Sequence, residues 1–312
     1  MRKAVITTCT GRKKVMPVLH SANLPVGDQA SLLNAWVSLV KTAPTKHVAK
    51  DIYCGRGFSE ALTASAKNDA DLWVISAGLG LISGNHQIPS YNLTISTSSP
   101  ESIQLKVVPR GTFAARRWWR DLNETLYATH TPLADLIRKK KDYLFILSLN
   151  YSYAEMVEDD LLSLSSDDLG RLRITGLGQN NSMHDRLKAI CMPYDERFDG
   201  PNSPGKGTRS DFPQRTARHF IENILINAEA DGATRHAAKV AKFLVGKEYP
   251  AKVKRNTKTD DEIKEILRAR WFDAGGTSAR MLRMLRDDMK VACEQKRFSQ
   301  LFKSVKAEKN GP

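Results

Sequence analysis

The sequence predicts an α/β fold: a mostly parallel sheet flanked by helices, followed by a small C-terminal all-α unit of helix-turn-helix type. Three observations predict it. Short runs of bulky β-formers recur at residues 3–8 (KAVITT), 72–76 and 143–149 (YLFILSL), each ending abruptly in polar or glycine-rich residues. Segments with helical apolar spacing lie between them, at residues 29–40 and 58–67. Beyond residue 258 the pattern turns helical and strongly basic.

Taken in order, the first strand runs into Cys9-Thr10-Gly11-Arg12-Lys13-Lys14. The helix at 58–67 feeds a strand that stops at Ser76-Ala77-Gly78, as a buried parallel strand does at a tight turn. Asn85, His86, Gln87, Tyr91, Asn92 and Thr94 follow, a segment suited to holding a planar polar ligand beyond the carboxyl end of a strand. Residues 143–149 end at Asn150-Tyr151, and further strands are expected at 173–176 and 188–193. The Gly/Pro/Ser-rich stretch 199–214 is too long for a routine connection. A helix is expected near 216–229. The domains are expected at 1–232, with a basic connector at 233–258 and a helical unit at 259–312.

In that last unit Thr259-Asp260-Asp261-Glu262 has the form of a capping box. Gly275-Gly276 makes a turn, and a second helix is expected through about Lys290. On it Met281, Leu282, Leu285 and Met289 fall in one arc about 100° wide, and Arg280, Arg283, Arg286 and Lys290 in another. One face is apolar and one basic, as in the second helix of a helix-turn-helix.

Charge sharpens this. The 312 residues carry 48 Lys plus Arg against 34 Asp plus Glu, a formal +14. Residues 233–312 hold 20 basic and 10 acidic residues, +10 of the total, which leaves +4 for residues 1–232. A near-neutral body with a basic C-terminal quarter is the footprint of nucleic-acid binding. No apolar run approaches the roughly 18 to 20 residues of a membrane span. The four cysteines (Cys9, Cys54, Cys191, Cys293) have no metal-ligand spacing, so neither zinc nor a disulfide framework is expected, and a reducing cytoplasm is. His86, His184 and His219 lack partners at ligand spacing. No P-loop, GxGxxG or HExxH occurs, so no cofactor is expected.

Three stretches carry a resemblance. Residues 73–94, with Gly78-Leu79-Gly80-Leu81 and Tyr91-Asn92, resemble the "GLYGLL…PYR" and "SAKYGLL…PYD" stretches of the YaaA-like family and a related family of bacterial and phage proteins. Thr7-Thr8-Cys9-Thr10-Gly11-Arg12-Lys13-Lys14 is similar to their "SCSK" loop, and Ile52-Tyr53-Cys54-Gly55-Arg56-Gly57-Phe58 to their "LYTG..F". The match spans about the first hundred residues. This chain departs from it at Gly78-Leu79-Gly80, which lacks the tyrosine, and at Asn92, where relatives carry Asp or Arg. The resemblance implies nucleic-acid work, including DNA glycosylases that remove hypermodified bases such as glucosylated hydroxymethylcytosine in defence against phage.

A glycosylase flips a base into a pocket and stabilises an oxocarbenium-like sugar while water attacks. Asp195, Asn92 and Asn150 are the candidate catalytic groups, with Thr10, Ser76, Tyr91, Tyr151 and Gln179 lining the base pocket. Lys13, Lys14, Lys206, Arg209, Arg280, Arg283, Arg286 and Lys290 are the candidate DNA contacts. Asn150 reads equally as a helix cap, and Asp195 as turn chemistry. Arg116-Arg117-Trp118-Trp119-Arg120 suits either strand stacking or helix packing. The alternatives are a DNA-binding protein without catalysis and a base-modifying transferase.

Overall fold

In the computed structural model, residues 1–97, 99–178, 181–203, 205–226, 230–251 and 254–309 are described, with the side chain of residue 296 excepted. The chain divides into two compact units, Met1–Pro250 and Ala251–Pro312.

The first unit is built on a five-stranded sheet. Its strands are β1 (Arg2–Thr8), β2 (Asp71–Ser76), β3 (Gly80–Ser83), β4 (Tyr143–Ser148) and β5 (Leu172–Thr175). They lie in the order β3-β2-β1-β4-β5. β2, β1, β4 and β5 are mutually parallel, and only β3 is antiparallel, hairpinned onto β2. β4 is buried at every position, so its apolar run does not alternate, because helices cover both faces. After β2 and β3 the chain crosses β1 to lay β4 on its other side. The carboxyl ends of β1 and β4 therefore flank a topological switch point.

Helices α1 (Gln29–Thr42), α2 (Arg56–Lys67), α3 (Ala115–Tyr127) and α4 (Pro132–Lys139) lie between the strands, and α5 (Phe212–His219) and α6 (Ala233–Leu244) follow β5. Asp28 caps α1 by accepting the N–H groups of Ala30 and Ser31, each at 3.0 Å. Trp118 and Trp119 on α3 are buried, with their indole N–H groups bonded to the Ala77 carbonyl (2.7 Å) and the Asp160 carboxylate (3.1 Å). They pack and do not stack on a ligand. A third indole, Trp36 of α1, donates to the Gly78 carbonyl at 2.7 Å.

Trp36 and Trp118 pin the turn after β2, and the glycines there are obligatory. A Cβ on Gly78 would stand 2.9 Å from the Tyr91 ring. Gly80 has φ +72°, and a Cβ would stand 2.2 Å from Asn123 Oδ1, which accepts the Leu81 N–H. The turn feeds β3, which runs back until Ser83 lies opposite Trp73. That hairpin carries Asn85, His86 and Gln87 away from the carboxyl edge, against expectation. The chain returns so that Tyr91 reaches it again.

Two further expectations are corrected. Residues 188–193 form no strand: Asp185–Lys188 is a single helical turn, and Cys191 makes one isolated bridge to Ile174 of β5. Residues 233–244 are not connector but α6, whose Val240 and Leu244 are buried in the main core. The described part of the stretch 199–214 is held in place. The Arg215 guanidinium, on a residue 3% exposed, gathers it by bonding Asp211 (2.6 Å), Asp199 (2.7 Å), the Gly205 carbonyl and the Thr208 carbonyl (3.0 Å).

The second unit holds α7 (Asp260–Ala269), α8 (Ser278–Arg283) and α9 (Gln295–Lys309). The capping box at Thr259 and Glu262 is present with both of its hydrogen bonds. Its core joins Ile263, Leu267, Met281, Leu285, Phe298 and Val305, with Trp271 stacked on Phe302 at 5.2 Å. The unit is not all-α: Asn256–Thr257 pairs in parallel with Val291–Ala292. The second helix reaches Asp288, close to the expected end, but not as a regular α-helix. It loosens into a π turn over Met284–Asp288, and Lys290 has φ +54°.

Candidate functional site

Four parallel strands put the ends of β1, β2, β4 and β5 on one edge of the sheet. Two neighbourhoods form along it, one closed and one open.

The closed one joins the three motifs that carry the resemblance. Tyr91 Oη stands between Ser76 Oγ (2.5 Å) and Tyr53 Oη (2.8 Å). Ser76 Oγ also accepts the N–H groups of Gly78 (3.2 Å) and Leu79 (3.0 Å). With its acceptor capacity so used, the serine donates its hydrogen to Tyr91. Tyr53 and Tyr91 meet edge to face, and burial pushes both phenols well above their ordinary pKa. Lys13 closes the group: its Nζ lies 4.6 Å from the Tyr91 ring centre and 5.7 Å from that of Tyr53, and donates to the Thr10 carbonyl at 2.8 Å. Burial holds the Lys13 amine below its ordinary pKa. Beside it the Cys9 thiol and the Tyr153 hydroxyl are 3.1 Å apart.

Ser76 and Tyr91 are 0% exposed, so neither faces an open pocket as expected of base-pocket residues. They are the floor on which the Thr10–Lys14 loop rests. Thr10 Oγ1 donates to the Arg12 carbonyl at 2.8 Å, within its own loop.

The open neighbourhood is a cavity of about 620 Å³ past the end of β5. Gly176 and Gly178 form one side, Phe212 and Ala241 an apolar wall, and Asp195, Arg197, Asp199 and Arg209 the polar rim. Asp195 caps the short 3-10 turn Glu196–Asp199 by accepting the Arg197 N–H at 2.9 Å. Both of its oxygens also face the Arg197 guanidinium, at 3.0 and 2.7 Å. The carboxylate is therefore fixed in orientation, with its side chain 36% exposed. Of the expected catalytic groups, Asp195 alone lines this cavity.

Asn150 caps the helix Tyr151–Met156, accepting the Tyr153 N–H at 3.1 Å. Asn92 sits on a two-residue strand paired with Leu19–His20. Tyr151 is exposed and its hydroxyl accepts from Ser182 Oγ at 2.5 Å. None of the three lines the cavity. Gln179 lies outside the described residues.

Basic residues link the two neighbourhoods. The Cys54 N–H donates to the Arg12 carbonyl and that of Lys14 to the Ile52 carbonyl, which lashes the Arg12–Lys14 loop to the segment before α2. Arg56 then reaches the Lys206 carbonyl and the Asp211 carboxylate (3.7 Å). Arg12, Lys14, Arg56, Lys206 and Arg209 are all exposed, so a basic rim runs from the end of β1 to the cavity.

The second unit divides the expected DNA contacts. Arg280 and Arg283 are exposed. Arg286 is partly buried, with its Nε and Nη2 on the Cys293 carbonyl at 3.0 and 2.6 Å. Lys290 is bent back onto the Asp287 carbonyl.

Arg197 and Arg215 escaped the sequence reading. Their signals were local: Asp211 and Arg215 stand four apart on a helix start, Asp195 and Arg197 two apart on a turn. Among the described residues no three His, Cys, Asp or Glu side chains group as a metal site, and no helix is long and apolar enough to cross a membrane. No family model, curated protein or solved structure matches this chain.

Proposed function

We propose that this protein acts on bases in DNA as a glycosylase, excising a modified base into the cavity beyond β5 and leaving an abasic site. The observation that carries the reading is the cavity itself: a fixed carboxylate, an apolar wall and guanidinium groups meet in a space of about 620 Å³ at the end of a basic rim. In this reading a flipped nucleotide enters over Gly176 and Gly178 and its base lies against Phe212. Asp195, oriented by Arg197, holds the attacking water and offsets the positive charge that develops on the sugar. Arg12, Lys14, Lys206 and Arg209 take backbone phosphates. Arg280 and Arg283 of the second unit supply a further contact, in the manner of a helix-turn-helix.

A specific observation favours a second reading, DNA binding without catalysis. Both oxygens of Asp195 already accept hydrogen bonds from Arg197, as a purely structural cap does. Incubation with unmodified, hydroxymethylated and glucosylated DNA separates the two. The glycosylase reading expects released base and alkali-labile sites in at least one of them. Binding with no base released from any leaves the second reading.

A further inference from the structure

Like the starts of α3 to α6, the start of α2 carries no side-chain cap, but it alone opens on a residue of positive φ. Its N-cap is Gly55, at φ +99°, with no side chain to cap the turn and open space where a Cβ would stand. The first intrahelical bond is from the Ser59 N–H to the Gly55 carbonyl. The N–H groups of Arg56, Gly57 and Phe58 donate to no acceptor among the described residues. Twelve residues of helix place roughly half a positive charge at that end. Because α2 precedes the parallel strand β2, this end faces the carboxyl edge of the sheet, level with the basic rim.

A second observation is independent of the helix. Gln214 of α5 is 5% exposed, and its Oε1 has no hydrogen-bond partner, while its Nε2 donates to Thr7 Oγ1 at 3.3 Å. The orphan oxygen is aimed at the first turn of α2, 3.2 Å from the position of a Gly57 Cβ. A buried amide oxygen left unmatched is costly. Turning the amide by half a rotation lets the Thr7 hydroxyl donate to Oε1 and moves the unmatched end to Nε2, a donor pointing into the turn. That donor then needs an acceptor. The nearby acids are already engaged, Asp211 with Arg215 at 2.6 Å and Glu60 with Arg218 at 2.9 Å.

We infer that the first turn of α2 is a phosphate-binding site, in which the N–H groups of Arg56, Gly57 and Phe58, the Arg56 guanidinium and the turned amide of Gln214 hold the phosphate oxygens. The donors converge as they do where glycine-rich loops open helices onto phosphates. The site does not depend on base excision; only the source of the phosphate, a DNA backbone or a free phosphate group, rests on the nucleic-acid reading.

Inorganic phosphate is titrated into the full chain and followed by phosphorus NMR, and a labelled DNA duplex is titrated separately. Saturable phosphate binding is expected, weakened about tenfold by Gln214→Glu, which swaps a donor for an anion at constant shape. Arg56→Ala, at a half-exposed position, gives the same test should Gln214→Glu fail to fold. Loss of DNA affinity in the same variants assigns the site to the DNA backbone. Phosphate binding that weakens while DNA affinity holds, or while no DNA binds at all, supports the site with a free phosphate group as its ligand. Absence of saturable phosphate binding, or binding equal in wild type and both variants, overturns it.

Discussion

The two neighbourhoods on the carboxyl edge use similar chemistry to opposite ends. Around Tyr91 the hydroxyls satisfy one another and the helices seal them, so the polar groups hold the chain together. Around Asp195 the same edge opens, and a carboxylate and guanidinium stand at the wall of a cavity. Polar residues at a strand end thus mark two different things, and burial decides which. At Ser76 and Tyr91, 0% exposed, they are architecture.

The comparison breaks most visibly at Arg215. Replacing it by Met leaves the buried Asp211 carboxylate only the more distant Arg56, at 3.7 Å, and costs up to about 3–5 kcal/mol. Chemical denaturation is expected to show that loss together with protease cleavage within 199–211. A variant as stable as wild type contradicts the role given to Arg215. Next comes Tyr91→Phe, which removes the hydroxyl between Ser76 and Tyr53 and costs about 1–3 kcal/mol. Its DNA affinity is expected to stay at the wild-type value, measured by fluorescence anisotropy.

His219 tests the closed core behind the cavity. It accepts from or donates to Tyr194 at 2.7 Å, and burial lowers its pKa to about 4. The unfolded chain therefore takes up this proton near pH 6.5 while the folded chain resists to about 4, so this group removes stability as pH falls through that window. His219→Gln lacks the penalty. The stability of the variant relative to wild type is expected to rise by about 2 kcal/mol between pH 6.5 and 4. A pH-independent difference rules the assignment out.

The smallest effects concern the second unit. Arg280→Ala and Arg283→Ala are each expected to lower the salt dependence of DNA binding by about one phosphate contact. Arg286→Ala is expected instead to lower stability by about 1–2 kcal/mol, because it frees the Cys293 carbonyl. Equal binding losses in all three restore a continuous basic face.

The strands were legible because unalternating apolar runs as short as those of β1, β2 and β4 suit strands buried on both faces, and Thr259 with Glu262 announced a helix start. The turn after β2 was legible as a turn but not as a hairpin: Leu81 and Ile82 alone do not reveal the antiparallel return. Residues 188–193 misled because an apolar run beside a strand edge needs only one bridge to be buried. The basic face of α8 was drawn at constant pitch, and the π turn at Met284–Asp288 rotates Arg286 off it. Asp195 was singled out behind an expected strand at 188–193 that does not form; its Arg197 partner, and the sealing of Tyr91 by Trp36 and Gly78, depend on contacts distant in sequence or on turn geometry.

The most direct test places the two neighbourhoods side by side in one experiment. Single-turnover base excision is measured for wild type, Asp195→Asn and Tyr91→Phe on the DNA that wild type processes, with melting temperatures recorded in parallel. Asp195→Asn is expected to lose about a hundredfold or more in rate with its melting temperature nearly unchanged, whereas Tyr91→Phe loses stability and keeps its rate. A fully active Asp195→Asn, or a Tyr91→Phe that folds as well as wild type and excises nothing, would contradict the division of the edge into a closed floor and an open site.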